Sequence, residues 1–348
     1  VYRRRRTLFG ALLALLLAAA AFATAPHLLG DKAHPPLEKV RTLRDKGRTD
    51  ALAVGWPQRG QAAFLLGSGR PAASPYEQPA PIASLAKVMT AVLTLQRYPL
   101  SGAQDGFTIT VTAAQAQEEA QDAAQGQSGV TVVAGEPLTE RELLEALLIP
   151  SGNNIAEILA TQVAVSQSRF VSEMNAEARS LGMDHTSYTD PSGFVASTVS
   201  TAADQLRVFR RAMRFAVFRR IVAMASVTLP VAGTLTNYDP LIDVGYAGKT
   251  GSDAAAGGCL AFFTRVSAGG RRRTAVGVVM GQGQGSDTSV LLAAAGAAAQ
   301  ELVASVAPAT PVRTITVVPA LGGQRRSAGS PGGRLPQLRA PRRRSGQN

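Results

Sequence analysis

Strand-forming sequence stands at both ends of the chain's apolar body, and helix-forming sequence fills the space between. Late in the chain, "VGYAGKTGS", "CLAFFTRV" and "TAVGVVMG" read as strands, the last two joined through "SAGGRRR" as an antiparallel hairpin. Early in the body, "ALAVGWPQRGQAAFLL" places two apolar runs around a Pro/Gly turn, which predicts a second hairpin. Elements in that order are buried together most simply by one antiparallel sheet assembled from both ends. The expected class is α+β, an antiparallel sheet flanked by helices with a mostly helical insertion.

The helical middle is marked by spacing and by caps. Leu85, Val88, Met89, Val92, Leu93 and Leu95 form one apolar helix face that begins near Ser84. "TERELLEALLI" opens with Thr139 and Glu142 at capping-box spacing and closes before Pro150. "IAEILATQVAV", "SRFVSEMNAEARSLG", "TAADQLRVFRRAMR" and "VLLAAAGAAAQELVASV" continue the helical period, and "FTITVT" is a short strand. "GQGQG" at 281–285 has neither the glycine spacing nor the lysine of a nucleotide loop and reads as a connecting turn.

The net charge of +12 belongs to the ends of the chain. Arg3 to Arg6 carry part of it, and Arg325, Arg326, Arg334, Arg339, Arg342, Arg343 and Arg344 carry most of the rest. A body close to neutral offers no nucleic-acid face, and no nucleic-acid partner is expected. A single cysteine, Cys259, excludes a disulfide framework and reads as a small buried hydrophobe. His27, His34 and His185 have no metal-ligand spacing, so neither a metal nor another cofactor is expected.

"YRRRRTLFGALLALLLAAAAFATA" is a positive flank followed by 19 uncharged residues, Thr7 to Ala25. It serves either as a removed export signal or as a membrane anchor, and both place the body outside the cytoplasm. The expected organisation is a signal or anchor over 1–25, a linker over 26–50, a catalytic domain over 51–305 and a Pro/Gly/Arg-rich tail over 306–348.

Three motifs carry chemistry: S-L-A-K at 84–87, S-G-N at 151–153 and K-T-G at 249–251. Each is weak alone, but the set is the one found in serine β-lactamases and penicillin-binding proteins. Basic residues number 36, only five of them lysine, and past residue 46 the only lysines are Lys87 and Lys249. On a helix Lys87 lies one turn from Ser84, and a serine hydroxyl is a weak nucleophile until a base takes its proton. Lysine can be that base when desolvation or a nearby cation favours its neutral form, whereas arginine stays charged. Ser151 is assigned to proton relay between Lys87 and a leaving amine. Asn153 is assigned to holding Lys87 and a substrate amide, provided an extended turn projects both side chains to one side. Lys249 and Thr250 supply charge and a hydroxyl for a carboxylate, and Gly251 clears a strand edge for an added peptide strand. Backbone N–H groups of Ser84 and Ser252 are the candidate oxyanion hole.

With "GEPLTERELLEALLIPSGNNIAEILA", "FVSEMNAEARSLGMDHTSYTDPSGF" and "GKTGSDAAAGGCLAFF", the motifs resemble the penicillin-binding D-alanyl-D-alanine carboxypeptidases of the bacterial cell wall, from about residue 50 to 305. The resemblance implies a β-lactamase/DD-peptidase-like fold and acylation of Ser84 by the D-Ala-D-Ala end of a peptidoglycan stem peptide. D-alanine is then released and the acyl-enzyme hydrolysed. It further implies that Lys249 binds the terminal carboxylate and that β-lactams acylate the same serine. Two alternatives stand beside it. A class A β-lactamase deacylates with a Glu-activated water, commonly in an E-x-x-x-N pattern, and none of the five asparagines here has Glu four residues earlier. A non-catalytic wall-binding protein that kept the fold is the other.

Overall fold

The computed structural model describes residues 54–124 and 126–307. The apolar N-terminal segment, the linker and the chain from 308 onward lie outside the described residues.

In chain order, β1 (Gln61–Leu66), β2 (Ala72–Ala73) and β3 (Ala80–Pro81) lead into a 3-10 turn, Ala83–Ala86, and helix α1 (Lys87–Arg97). Then come β4 (Thr108–Thr110), α2 (Ala113–Ala124), β5 (Pro137–Thr139), α3 (Glu140–Leu148), α4 (Asn153–Ala164) and α5 (Gln167–Ser180). After β6 (Val199–Ser200) follow α6 (Ala202–Ala212), α7 (Ala216–Ile221) and the hairpin β7 (Ser226–Leu229) with β8 (Gly233–Thr236). Strands β9 (Tyr246–Asp253), β10 (Gly257–Ala268) and β11 (Arg271–Gln282) precede α8 (Thr288–Val306).

The main sheet has the order β2-β1-β11-β10-β9 with every pair antiparallel, so both ends of the chain supply it as expected. The early hairpin is different from the sequence reading. Strand β1 is paired by β11 on one edge and β2 on the other, which leaves no edge for the apolar run before Pro57. Val54 and Trp56 instead pack on the cluster under α8, and the Gly55 N–H donates to Ser305 Oγ at 2.9 Å.

Side chains alternate across the sheet. Phe64, Leu66, Leu260, Phe262 and Val279 face α8, with Leu302 and Val303. Ala63, Leu65, Ala261, Val276, Val278 and Met280 join the helical cluster on the other face. That cluster surrounds α1, in which every residue from Lys87 to Leu95 is buried. Helix α3 starts where its capping box requires: Glu142 N donates to Thr139 Oγ1 at 3.2 Å and Thr139 N donates to Glu142 Oε2 at 2.8 Å. The turn at 281–285 connects β11 to α8, whose start is capped by Asp287. Cys259 is fully buried, and its thiol is pushed up to about 12 by that burial.

Candidate active site

Ser84 lies on the 3-10 turn, and Lys87 opens α1, three residues later. The turn is held from two sides. Ala83 has φ +45°, and a Cβ added to Gly193 (φ +80°) would stand 1.8 Å from the Ala83 carbonyl oxygen. A Cβ on Gly251 would stand 3.1 Å from the Ser84 nitrogen. Glycine at 251 therefore lets β9 lie against the turn, with the Ser84 N–H beside it.

Lys87 has no solvent exposure, and its Nζ lies 2.7 Å from Ser84 Oγ, 2.7 Å from Asn153 Oδ1 and 3.0 Å from the Ser192 carbonyl oxygen. A neutral amine has two N–H bonds and one lone pair. The two carbonyl oxygens match the N–H bonds, and the lone pair is left for the Ser84 O–H. Burial pushes this amine well below the usual lysine range and the charge of Lys249 pushes it further, against Asp190 and Glu157.

Ser151 and Asn153 do not lie on an extended turn. Ser151 is left-handed, φ +66°, a conformation that costs a non-glycine residue energy and persists where its surroundings enforce it. Asn153 is the first residue of α4, and a Cβ on the intervening Gly152 would meet Ile155 and Val130 at 2.9 Å. The two side chains consequently have different partners. Asn153 reaches Lys87, whereas Ser151 Oγ accepts from Lys249 Nζ at 2.9 Å. The hydrogen bond that a direct Lys87–Ser151 relay needs is not among those Lys87 makes.

Lys249 is also without solvent exposure and donates to the Thr250 carbonyl at 2.9 Å. When charged it keeps a third N–H for a further acceptor. Burial lowers it to about 7, partly offset by Asp239. Asp239 is 2% exposed, with Oδ2 lacking a partner among the described residues, and burial raises it to about 6. Strand β9 closes one side of the sheet, and its Ser252 pairs with Gly258 of β10.

Three contributors have no signature in the motifs. Asp190 Oδ2 accepts from Ser192 Oγ at 2.7 Å, Gly193 N at 2.7 Å and Phe194 N at 2.9 Å, which folds the loop whose Ser192 carbonyl faces Lys87. Gln127 Oε1 accepts from Asn153 Nδ2 at 3.0 Å, and Gln127 Nε2 donates to Asp122 Oδ1 at 2.9 Å. The signals available were the turn dipeptides of "DPSGF" and nothing at Gln127.

The family model described as D-alanyl-D-alanine carboxypeptidase matches residues 72–284, a span that contains every residue of this cluster. The chain belongs to this family. Among curated D-alanyl-D-alanine peptidases, it is 33% identical over 210 residues to the carboxypeptidase DacB2 of Mycobacterium tuberculosis, covering 58% of this chain and 67% of that one. A D-alanyl-D-alanine endopeptidase of Haemophilus influenzae is 28% identical over 141 residues, 40% of this chain and 45% of the relative. The Streptomyces K15 DD-transpeptidase superposes with a TM-score of 0.61 at 24% identity, over 72% of this chain and 98% of that chain, and supports the fold. An evolved penicillin-binding protein homolog from Mycobacterium tuberculosis superposes with a TM-score of 0.59 at 29% identity, over 76% and 98%. A D-alanyl-D-alanine peptidase of the bacterial cell wall works outside the cytoplasm, and the family accounts for the α+β architecture found here.

Proposed function

We propose that this chain removes the terminal D-alanine from peptidoglycan stem peptides through an acyl-enzyme on Ser84. The observation that carries the reading is the buried Lys87 amine, placed between two carbonyl oxygens and the Ser84 hydroxyl. Ser84 Oγ attacks the carbonyl carbon of the penultimate D-alanine while Lys87 takes its proton. The Ser84 and Ser252 N–H groups hold the oxyanion, and Asn153 orients the substrate amide. Lys249, with Thr250, holds the terminal carboxylate on its free N–H.

As the C–N bond breaks, Ser151 gives its proton to the departing D-alanine amine, and the proton taken by Lys87 returns to Ser151 through a bridging water, since the two side chains share no direct hydrogen bond. The bond of Ser151 to Lys249 keeps the oxygen fixed while its own O–H stays available. Water then attacks the ester, neutral Lys87 accepts its proton, and that proton returns to Ser84. A β-lactam carboxylate and carbonyl fit the same partners, so β-lactams acylate Ser84 as well.

The apolar segment Thr7–Ala25 is the proposed export signal or anchor, 26–50 the linker, 51–305 the catalytic domain and 306–348 a tail. The test pairs fluorescent-penicillin labelling with D-alanine release from an N-acyl-Lys-D-Ala-D-Ala peptide. Labelling that is lost in Ser84→Ala, together with release, supports the reading. Labelling without release favours a binding protein, rapid penicillin turnover favours a β-lactamase, and labelling that survives Ser84→Ala overturns the mechanism.

A further inference from the structure

Away from the active site, the tip of the β10–β11 hairpin carries a cluster of arginines. Arg265, Arg271, Arg272 and Arg273 are all exposed there, and Arg70 is exposed in the neighbouring β1–β2 turn. Cross-strand pairs place Arg271 opposite Ala268, Arg272 opposite Ser267 and Arg273 opposite Val266. Alternation sends Arg271 and Arg273 to one face of the hairpin and Arg265 and Arg272 to the other. The Gly67 N–H donates to the Thr274 carbonyl at 2.8 Å, which joins the Arg70 turn to the same end of the sheet.

No Asp or Glu occurs between residues 254 and 286, and none of these five arginines has an ion-pair partner among the described residues. The described body holds 18 Lys and Arg against 20 Asp and Glu, so outside these five arginines it carries 13 against 20. The tip is thus a positive patch with no acidic residue in its hairpin; a second group, Arg207 to Arg220 along α6 and α7, has Asp204 and Glu177 as partners for two of its members.

The arginine tip faces away from the active site and toward the point where the chain enters. Lys249 pairs with Ala261, and from there to Ala268 is about 23 Å along β10 at ~3.3 Å per residue. Helix α8 runs toward the same end. Its Leu291 lies against Gly258, and Gly296 lies against Leu241, whose carbonyl accepts from Tyr246, the partner of Thr264. Ser305 is about 13 Å further along the helix and holds Gly55, at the start of the described chain. Upstream, 28 residues separate Val54 from the end of the apolar segment at Ala25.

We propose that this arginine tip docks on the anionic phospholipid headgroups of the membrane in which residues 7–25 are anchored, with the Ser84 cleft turned away toward the wall. The proposal rests on the anchor reading of that segment. The charge is complementary to acidic phospholipids, and each arginine near such a surface raises partitioning on the order of fivefold. The tether, at most about 100 Å long when extended, keeps the tip close enough for so weak a contact to be populated.

The test uses the full chain with Ser267→Cys, an exposed site, carrying a fluorophore; the native Cys259 is buried and stays unlabelled. The protein is mixed with phosphatidylcholine vesicles, with or without phosphatidylglycerol, and headgroup spin labels quench the probe. Flotation reads the anchor: a chain that floats with neutral vesicles is anchored by its apolar segment. Quenching reads the tip: it is expected to be several-fold stronger on anionic vesicles at 50 mM than at 500 mM NaCl. It is also expected to fall close to the level on neutral vesicles when Arg265, Arg271, Arg272 and Arg273 are all changed to Ser, since four fivefold effects multiply to several hundredfold in partitioning. If the chain floats only with anionic vesicles, the anchor reading fails, and the tip stands only if the fourfold variant no longer floats. Equal quenching on both vesicle types, or an unchanged fourfold variant, overturns the proposal. So does protection of the probe by soluble poly(glycerol phosphate) with none by vesicles, which assigns the tip to a wall polymer.

Discussion

Lys249 Nζ lies 2.9 Å from Ser151 Oγ although 98 residues separate them, and this bond joins the edge strand of the sheet to the left-handed turn between α3 and α4. Both partners are buried, and Lys249 titrates at about 7. The charge proposed to bind the substrate carboxylate is therefore present below pH 7 and lost as pH rises through it. Hydrolysis of a D-Ala-D-Ala peptide is expected to show a descending limb in kcat/KM near pH 7. A C-terminally amidated analogue, which offers no carboxylate, is expected to lack that limb. Identical limbs for the two substrates would remove Lys249 from carboxylate recognition.

Lys87→Arg tests the base. Arginine stays protonated at any accessible pH, so it has no lone pair for the Ser84 O–H. Acylation by penicillin is expected to fall by at least ~100-fold, within the range general-base catalysis supplies. Stopped-flow labelling that proceeds at the parent rate would mean that another group takes the proton.

The sequence made the residues that cluster around Lys87 and Lys249 legible and their orientation illegible, for a physical reason. Ser84 and Lys87 are tied by helical spacing, and the only two lysines past residue 46 of an arginine-rich chain both stand in the cluster. The sheet likewise followed from apolar runs and the Gly-Gly turn at 269–270. Ser192 contributes through its carbonyl, which any residue possesses, so no residue type could announce it. Ser151 adopts φ +66°, and neither its facing Lys249 nor its separation from Asn153 follows from the two-residue spacing. The early hairpin failed similarly, because β1 found its partners 209 to 219 residues away in β11 and just downstream in β2 instead of upstream, as non-local pairing defeats local patterns.

Gly193→Ala probes how the turn that carries Ser84 is supported. The new Cβ would stand 1.8 Å from the Ala83 carbonyl oxygen, and φ is +80°. Either the 3-10 turn or the Ser192 loop has to move. A misplacement near 1 Å costs on the order of 100-fold in rate. The variant is expected to keep its far-UV circular dichroism and lose acylation by about that factor; near-parent labelling would show that the turn tolerates the shift.

Glu140 offers a test of stability. It is 1% exposed, its Oε1 has no partner among the described residues, and burial raises it to about 7. A raised carboxyl contributes stability that is fully present below its unfolded pKa of about 4.3 and is lost as pH rises through the folded value. The Tm of the parent minus that of Glu140→Gln is expected to decline between pH 5 and 8. A difference constant across that window would place the Glu140 titration elsewhere.

Gln127→Ala examines the amide network. Asn153 presents Oδ1 to Lys87 because its Nδ2 is engaged by Gln127, and Gln127 is itself fixed by Asp122. Without Gln127 the amide can rotate, and Lys87 loses an oxygen acceptor for part of the time. A buried hydrogen bond of about 1 kcal/mol net corresponds to roughly a fivefold effect. Penicillin acylation is expected to slow by about that factor while binding before acylation changes little. If the Ala variant acylates at the parent rate, Gln127 has no part in orienting Asn153.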